Sequence, residues 1–200
     1  MEDRPRIQVI LSSIREGRVG ERVATWFMRM AEARPDLAFE LVDLKQWPLP
    51  LYALSEPTVL AEKTFQDPLA RAWVESVGRA DGFVIVTPEY NFGYPPSLKN
   101  ALDYAYAGWN RKPVAFVSYG GSGGGVRSVQ QLRQVVVELQ MAPLRAEVNI
   151  PFAGRAFDER GEPTDPLHVK RASALLEQLH WWAVVLQEGR INRPSPARDR

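Results

Sequence analysis

The sequence predicts an α/β domain with a five-stranded parallel sheet in the order 2-1-3-4-5 and helices on both faces. Short apolar, β-branched runs alternate five times with longer segments of helical periodicity. Most of the short runs are apolar at every position, as is typical of parallel strands that are buried on both faces. With 200 residues the chain is long enough for one domain with its own core, which we expect to span residues 1–190.

The strand predictions follow from runs that end at glycine, proline or polar residues. The run LAFELVDL alternates between apolar and polar residues more than the others do, which suits an edge strand. The five predicted strands are 6–12, 37–44, 81–87, 113–119 and 146–150.

Helices are predicted between these strands because apolar residues recur at helical spacing. The predicted helices are 19–33, 68–80, 96–106, 125–140 and 166–188. In the last of them Trp181 and Trp182 are adjacent, so we expect one to pack inward and the other to meet a partner subunit. The segment 191–200 is proline-rich and charged and is predicted to be disordered.

Composition excludes several classes of site and partner. The chain has no cysteine, which rules out disulfides, thiolate nucleophiles and cysteine-based metal sites, and we expect no metal and a reducing, cytoplasmic setting. The net charge is +1 with scattered basic residues, so no nucleic-acid partner is expected. No signal-peptide pattern and no apolar stretch of about 20 residues is visible, so no membrane association is expected.

In an open parallel sheet of this order, ligands bind beyond the carboxyl ends of strands 1 and 3. The loops at that edge are 12–20, 87–97 and 119–125. The first, SSIREGRVGE, places hydroxyls, two arginines and two glycines before a helix start, a combination that suits a phosphate monoester. It matches neither GxGxxG nor GxxxxGK[ST], which disfavours a dinucleotide-binding or P-loop protein. The alternative is a solvated polar loop with a serine N-cap.

The second and third loops suit a flat ligand. In TPEYNFGYPPSLKNALDY, Pro88, Pro95 and Pro96 stiffen the backbone, whose amides can then bind the edge of a planar heterocycle. Glu89, Tyr90 and Asn91 need not be acid–base catalysts in such a turn. In SYGGSGGGVRS, five of the six residues 120–125 are glycine, which permits close backbone approach to a ligand; a merely flexible turn is the alternative.

These three motifs, within residues 6–150, resemble the flavodoxin-like NADPH-dependent FMN reductases, a family that includes quinone, azo-dye and chromate reductases. The resemblance implies a flavodoxin-like three-layer sandwich that binds FMN. It also implies an oxidoreductase that passes a hydride from NADPH or NADH through FMN to a quinone, flavin, azo or similar small-molecule acceptor, without a catalytic acid or base. Family members are usually dimers or tetramers, so a homodimer or homotetramer is expected.

The resemblance also assigns residues, motif position by motif position. Those expected to hold the FMN phosphate are Ser13, Arg15, Arg18, Val19 and Gly20. Those expected to border the flavin are Pro88, Glu89, Tyr90 and Asn91. Those expected to approach the isoalloxazine from the fourth strand are Ser118, Gly120, Gly121 and Ser122.

Three positions depart from the family pattern, and two aromatic residues have open roles. The family often has Gly-Ser where this chain has Ser12-Ser13. Many members have serine and asparagine at the positions of Arg18 and Glu21, and Arg18 could strengthen phosphate binding or turn outward. Tyr106 and Trp109 could line the substrate face or a dimer interface, or could simply pack in the protein.

Other classes of function compete with this interpretation. Residues 120–124 formally satisfy GxSxG, and a serine hydrolase would use Ser122 with an aspartate, Asp158 or Asp165, and a histidine, His168 or His180. That reading leaves the first two loops unexplained. A flavodoxin-type electron carrier or flavin-binding sensor is a second alternative, although carriers typically have a strongly acidic surface and this chain is nearly neutral. A domain of this fold without any flavin is the third.

Overall fold

A computed structural model describes residues 4–193 of the chain. All neighbouring strands pair in parallel, in the order β2-β1-β3-β4-β5, so the predicted sheet is confirmed. The strands are β1 (Arg6–Leu11), β2 (Ala38–Asp43), β3 (Gly82–Pro88), β4 (Pro113–Tyr119) and β5 (Ala142–Ile150). β2 lies at one edge of the sheet, as its alternating sequence predicts.

Six helices connect or follow the strands. They are α1 (Gly20–Glu32), α2 (Thr58–Ala61), α3 (Pro68–Arg79), α4 (Pro96–Asp103), α5 (Val126–Glu138) and α6 (Pro166–Asn192). The sequence patterns predict every one except α2, a single turn that is too short for helical periodicity to show. Proline at the first position of α3, α4 and α6 sets the starting φ without removing a needed donor.

Two apolar clusters cover the two faces of the sheet and make the three-layer sandwich. On one face α1 and α6 pack against the inward side chains of the central strands, with Trp26 and Phe27 fully buried. On the other face α3, α4 and α5 pack around Trp73, Phe83 and Trp109. This double cover explains why β3 and β4 are apolar at nearly every position and are buried along their whole length.

β5 begins at Ala142, four residues before the predicted start of 146. Its register shifts, because Val114 and Phe116 of β4 pair with Pro143 and Glu147, so extra residues bulge out of the ladder. A proline and a bulge are tolerated here because β5 is an edge strand. Neither feature belongs to a regular strand pattern, so the sequence predicts the end of β5 better than its start.

The end of α6 departs from prediction in two ways. Trp181 and Trp182 are both solvent-exposed (58% and 37%), so the expectation that one packs inward is wrong. The buried face of α6 is formed by smaller side chains, among them Leu179 and Ala183. The helix runs to Asn192, into the segment predicted to be disordered, and the remainder of that segment, 194–200, lies outside the described residues. Within residues 4–193 no helix is long and apolar enough to cross a membrane.

Candidate functional site

The three predicted loops meet at the carboxyl edge of the sheet, around a cavity of about 270 Å³. Eight of the thirteen predicted site residues line it, namely Ser13, Arg15, Arg18, Val19, Pro88, Glu89, Tyr90 and Gly120. Residues from the loops after β1, β3, β4 and β5 all contribute to the wall, which places the cavity at the switch between β1 and β3. Five predicted residues do not line it: Gly20, Asn91, Ser118, Gly121 and Ser122.

The two adjacent serines of the first loop make different contacts. The Ser12 hydroxyl donates to the carbonyl oxygen of Val86 in β3 at 2.9 Å, and the Ser97 hydroxyl donates to the Ser12 carbonyl oxygen at 2.7 Å. Ser12 therefore fastens the loop to the neighbouring strand and to α4. The Ser13 hydroxyl instead lies at the cavity, 2.6 Å from the phenol oxygen of Tyr90.

The start of α1 provides unpaired donors next to this loop. No side chain caps the helix, and within the described chain the N–H groups of Gly20 and Glu21 make no hydrogen bond. Such N–H groups carry the positive end of the helix dipole and favour an anion. Arg15 is exposed at the cavity rim, with its Cζ 5.5 Å from the centre of the Tyr90 ring, and no described residue accepts a hydrogen bond from its guanidinium.

Arg18 lines the cavity, but its guanidinium is bound by other residues of the protein. Its guanidinium binds the carboxylate of Asp43 through two contacts of 2.8 and 2.5 Å, and its Nε donates to Glu21 at 3.0 Å. It also donates to the carbonyl oxygen of Ser13. The hydrogen bond to Asp43 raises the pKa of Arg18 although burial opposes its charge. Its donors are already used within the protein, which fits an anchor for the loop better than a phosphate ligand.

The second loop is a tight turn with unusual backbone angles. Tyr90 and Gly93 exchange N–H···O bonds of 2.8 and 2.9 Å around Asn91 and Phe92, whose φ values are 49° and 70°. Asparagine tolerates this left-handed region, whereas phenylalanine rarely adopts it. Pro95 and the start of α4 at Pro96 fix the exit. The turn is thus held in a strained form, and Asn91 is exposed and does not line the cavity.

Glu89 ties this turn to α5. Its carboxylate accepts from Arg127 Nε at 2.6 Å and from the Arg127 backbone N–H at 3.2 Å, so it also caps the start of that helix. The Arg127 guanidinium covers the Phe92 ring at 4.0 Å. With both carboxylate oxygens bound, Glu89 acts as a structural link between the second loop and α5.

The glycine-rich loop is folded around Ser118. The Ser118 hydroxyl donates to the Gly124 carbonyl oxygen at 2.7 Å and accepts from Asn149 at 3.0 Å. Gly124 and Gly125 have φ values of 58° and 85°, and a Cβ on Gly125 would lie 2.7 Å from the Ser118 Cβ. Ser118 and these glycines therefore shape the loop, Gly121 and Ser122 lie on its exposed surface, and Gly120 alone of the four predicted residues reaches the cavity.

Five residues of the cavity wall were not among the predicted site residues, and two of them, Glu16 and Gly17, lie in the first loop itself. Tyr119, the last residue of β4, is only 5% exposed and lines the cavity, while Ala153 and Gly154 follow β5. The Ala153 N–H donates to the Gly120 carbonyl oxygen at 3.2 Å, which holds the loop after β5 against the glycine-rich third loop. The rule that ligands bind at the carboxyl edge could have pointed to the loop after β5, and Tyr119 stands within the quoted glycine-rich motif.

Gly20 does not line the cavity but makes room for Tyr119. A Cβ at Gly20 would collide with the Tyr119 phenol oxygen and would come within 2.9 Å of Leu11 Cδ1. The glycine that ends the first motif is thus required by close packing between α1 and β4.

The hydrolase constellation does not assemble. His180 lies 3.4 Å from Asp36, which precedes β2 at the amino end of the sheet, whereas Ser122 follows β4 at the opposite end. His168 is buried near the start of α6, and no described histidine makes a hydrogen bond to Ser122.

Trp109 is fully buried against Phe83, so it packs in the core and does not line a substrate face.

A model of the family described as NADPH-dependent FMN reductase matches residues 5–155. The chain belongs to this family. The match includes all four loops that line the cavity, from the loop after β1 to the residues that follow β5.

Similar proteins agree with this membership. An NAD(P)H-dependent FMN reductase of Saccharomyces cerevisiae is 37% identical over 181 residues, covering 86% of this chain and 94% of that protein. One of Schizosaccharomyces pombe is 39% identical over 149 residues, or 74% of each chain. Among solved structures, a flavoenzyme NAD(P)H:(acceptor) oxidoreductase of Paracoccus denitrificans superposes with a TM-score of 0.73 at 21% identity, over 90% of this chain and 98% of that one. That likeness concerns the fold.

Proposed function

We propose that this protein is an FMN-dependent NAD(P)H oxidoreductase that passes reducing equivalents to a quinone, flavin, azo compound or similar small acceptor. The observation that carries the proposal is the cavity at the β1–β3 switch, where an uncapped helix start, a free arginine and a stiff turn meet. Membership of the FMN reductase family supports it, as do the names of its relatives, one of which is an NADPH:quinone oxidoreductase of Arabidopsis thaliana, 33% identical over 162 residues.

The donors at the cavity fit FMN. A phosphate monoester needs cationic and N–H donors, which Arg15, the start of α1 and the Ser13 hydroxyl supply. A planar ring needs a flat and rigid binding surface, which Pro88, Tyr90 and Gly120 provide. We therefore retain Ser13, Arg15, Val19 and Gly20 for the phosphate side. Arg18 we assign to support of the loop.

When bound, FMN supplies the capacity to take up a hydride from a nicotinamide and to hand it on. The residues of this chain then have to bind and orient it and leave one side accessible. The one glutamate of the second loop is tied to Arg127, so no acid–base role is required of it. Backbone N–H groups of the second and third loops, held by the Tyr90–Gly93 turn and the glycine-rich loop, would stabilise negative charge on a reduced ring.

We further propose that the chain forms a homodimer or homotetramer next to this site. An apolar cavity of about 330 Å³ adjoins the first loop and the start of α4, with Ile14, Trp47 and Leu51 in its wall. Ile14 and Leu51 in this wall are 51% and 80% exposed, and a second copy of the chain would cover them. The cytoplasm, where reduced nicotinamide nucleotides are available, is the compartment we propose for the reaction.

Purification and anaerobic titration test the proposed function. We expect a yellow protein, or a protein that takes up added FMN, whose flavin absorbance is bleached by NADPH or NADH and restored by a quinone. A protein that binds no FMN would refute the proposal. Bleaching only in the presence of a separate reductase would indicate an electron carrier. Ester hydrolysis that is abolished by Ser122→Ala would indicate a hydrolase.

A further inference from the structure

The Tyr119 hydroxyl is buried and makes no hydrogen bond to any residue that the structure describes. Five buried side-chain polar atoms within the described chain make no hydrogen bond, and of the residues that carry them only Tyr119 lines the cavity. A buried hydroxyl without a partner costs folding free energy, so such groups usually have a ligand or a water to bind. The neighbouring Ser13 and Tyr90 hydroxyls already pair with each other at 2.6 Å.

The surroundings of this hydroxyl favour an anion. It lies against Gly20, the first residue of α1, whose N–H group is unpaired within the described chain. Arg15, whose guanidinium donates to no described residue, also lines the cavity. Of the two acidic residues in the wall, Glu89 is neutralised by Arg127 and Glu16 is exposed to solvent.

The phenol is suited to donate rather than accept. Burial raises the pKa of Tyr119 above its usual range and the nearby Tyr90 phenol adds to this, against smaller opposing effects of the Ser13 hydroxyl, Arg18 and Arg15. The group therefore keeps its proton at neutral and moderately alkaline pH. A ligand that meets it must offer an acceptor oxygen.

We propose that the Tyr119 hydroxyl donates a hydrogen bond to the phosphate of FMN and thereby selects FMN over unphosphorylated riboflavin. The inference rests on the proposed function, and it adds a side chain from β4 to a phosphate site otherwise formed by the first loop and α1. Gly20 has no side chain so that this phenol can reach the start of the helix.

The test compares Tyr119→Phe with the wild type in binding of FMN and of riboflavin to the apo-protein, measured by flavin fluorescence. We expect the dissociation constant for FMN to rise roughly tenfold and that for riboflavin to stay unchanged. The matched control is Tyr106→Phe, which removes a half-buried phenol that bonds to Gln140 at 3.0 Å outside the cavity. It should alter neither constant.

A second measurement separates ligand binding from a structural role. Because the hydroxyl makes no hydrogen bond to any described residue, we expect apo Tyr119→Phe to melt at or above the temperature of the apo wild type. Equal losses for FMN and riboflavin, no loss for either, or a lower melting temperature of the apo variant would each overturn the inference. If the wild type itself bound no FMN, the proposed function would fail instead.

Discussion

The carboxylate of Asp43, at the end of β2, holds the guanidinium of Arg18 in a two-point contact of 2.8 and 2.5 Å. Only 3% of the Arg18 side chain is exposed, so this pair is largely withdrawn from water. The contact joins the edge strand to the loop that begins the cavity. Replacement of Asp43 should therefore affect both the stability of the protein and its affinity for FMN.

Asp43→Asn tests this link. Loss of one partner leaves Arg18 buried with Glu21 as its remaining carboxylate, and we expect a loss of about 2 kcal/mol in the free energy of unfolding together with weaker FMN binding. Asp36→Asn is the matched control, because Asp36 forms a similar pair with Arg34 at 2.6 Å at the amino end of the sheet. It should lower stability without changing FMN affinity. Denaturant unfolding and flavin titration of both variants provide the comparison.

The same pair predicts a pH dependence in acid. Burial tends to raise the pKa of Asp43, but the hydrogen bonds from Arg18 and the Lys45 N–H lower it below the ordinary value of 3.8. The stability it contributes is therefore complete above that value and is lost as the pH falls through the lowered pKa. Asp43→Asn should show a smaller loss of stability between neutral pH and this acid range than the wild type does. An equal loss of stability in acid for the variant and the wild type would contradict the role given to the Arg18–Asp43 pair.

Removal of Arg15 should weaken FMN binding, whereas removal of Arg18 should mainly lower the stability of the protein. Arg15→Ala should weaken FMN binding by roughly 1.5 to 3 kcal/mol and leave unfolding nearly unchanged, because its guanidinium is exposed and free to meet a phosphate. Arg18→Ala should mainly lower stability. Arg22→Ala, which removes an exposed arginine in the first turn of α1, serves as the control for net charge. Unchanged FMN affinity in Arg15→Ala would reject the phosphate assignment.

Because Lys112 is buried, we expect the free energy of unfolding to rise at alkaline pH. Its ammonium is buried against the carbonyl oxygens of Val77 and Gly78, each at 3.0 Å, and burial lowers its pKa to about 8. The unfolded chain keeps this proton up to its ordinary value of 10.5, so between these values the unfolded state binds more protons and rising pH favours folding. Lys112→Met should remove this increase in stability at alkaline pH, whereas Lys63→Met, a change at an exposed lysine, should retain it. Denaturant unfolding at several pH values measures both.

Two glycines of the third loop should respond differently to alanine. Gly125 has a left-handed backbone and a Cβ there would lie 2.7 Å from Ser118, so Gly125→Ala should cost about 2 kcal/mol or more. Gly121→Ala places its Cβ in open space and should be nearly neutral. Thermal unfolding of the two variants, with wild type alongside, checks this. Equal effects would mean that the loop is merely flexible.

The fold was predictable because its main signals are local. Unbroken apolar runs such as GFVIVTP and PVAFVSY indicate buried parallel strands, and the alternation with helices then fixes the layers. The start of β5 was not predictable, since a bulge around Arg145 interrupts the pattern. The inward packing of Trp181 or Trp182 was wrongly predicted, because adjacency in sequence does not show which face of a long helix the neighbouring layer can accommodate.

The site was predictable as a set of loops and less so as a set of side chains. Strand order places the loops at one edge, and proline and glycine content marks their stiffness. Which way a side chain turns depends on partners distant in sequence, such as Asp43 for Arg18, Arg127 for Glu89 and Asn149 for Ser118. Family motifs assign these positions collectively to a ligand, whereas here several of them hold the loops together.

The bonds of Ser12 have a consequence for access. Its hydroxyl and carbonyl join the ends of β1 and β3 to the start of α4, so the gap between the two strands is closed from below. A molecule bound at this edge rests on these joined strand ends, with the exposed Arg15 and Glu16 on its outer side. An electron donor and an electron acceptor would then have to occupy one opening in turn, and each should inhibit the other competitively in steady-state kinetics.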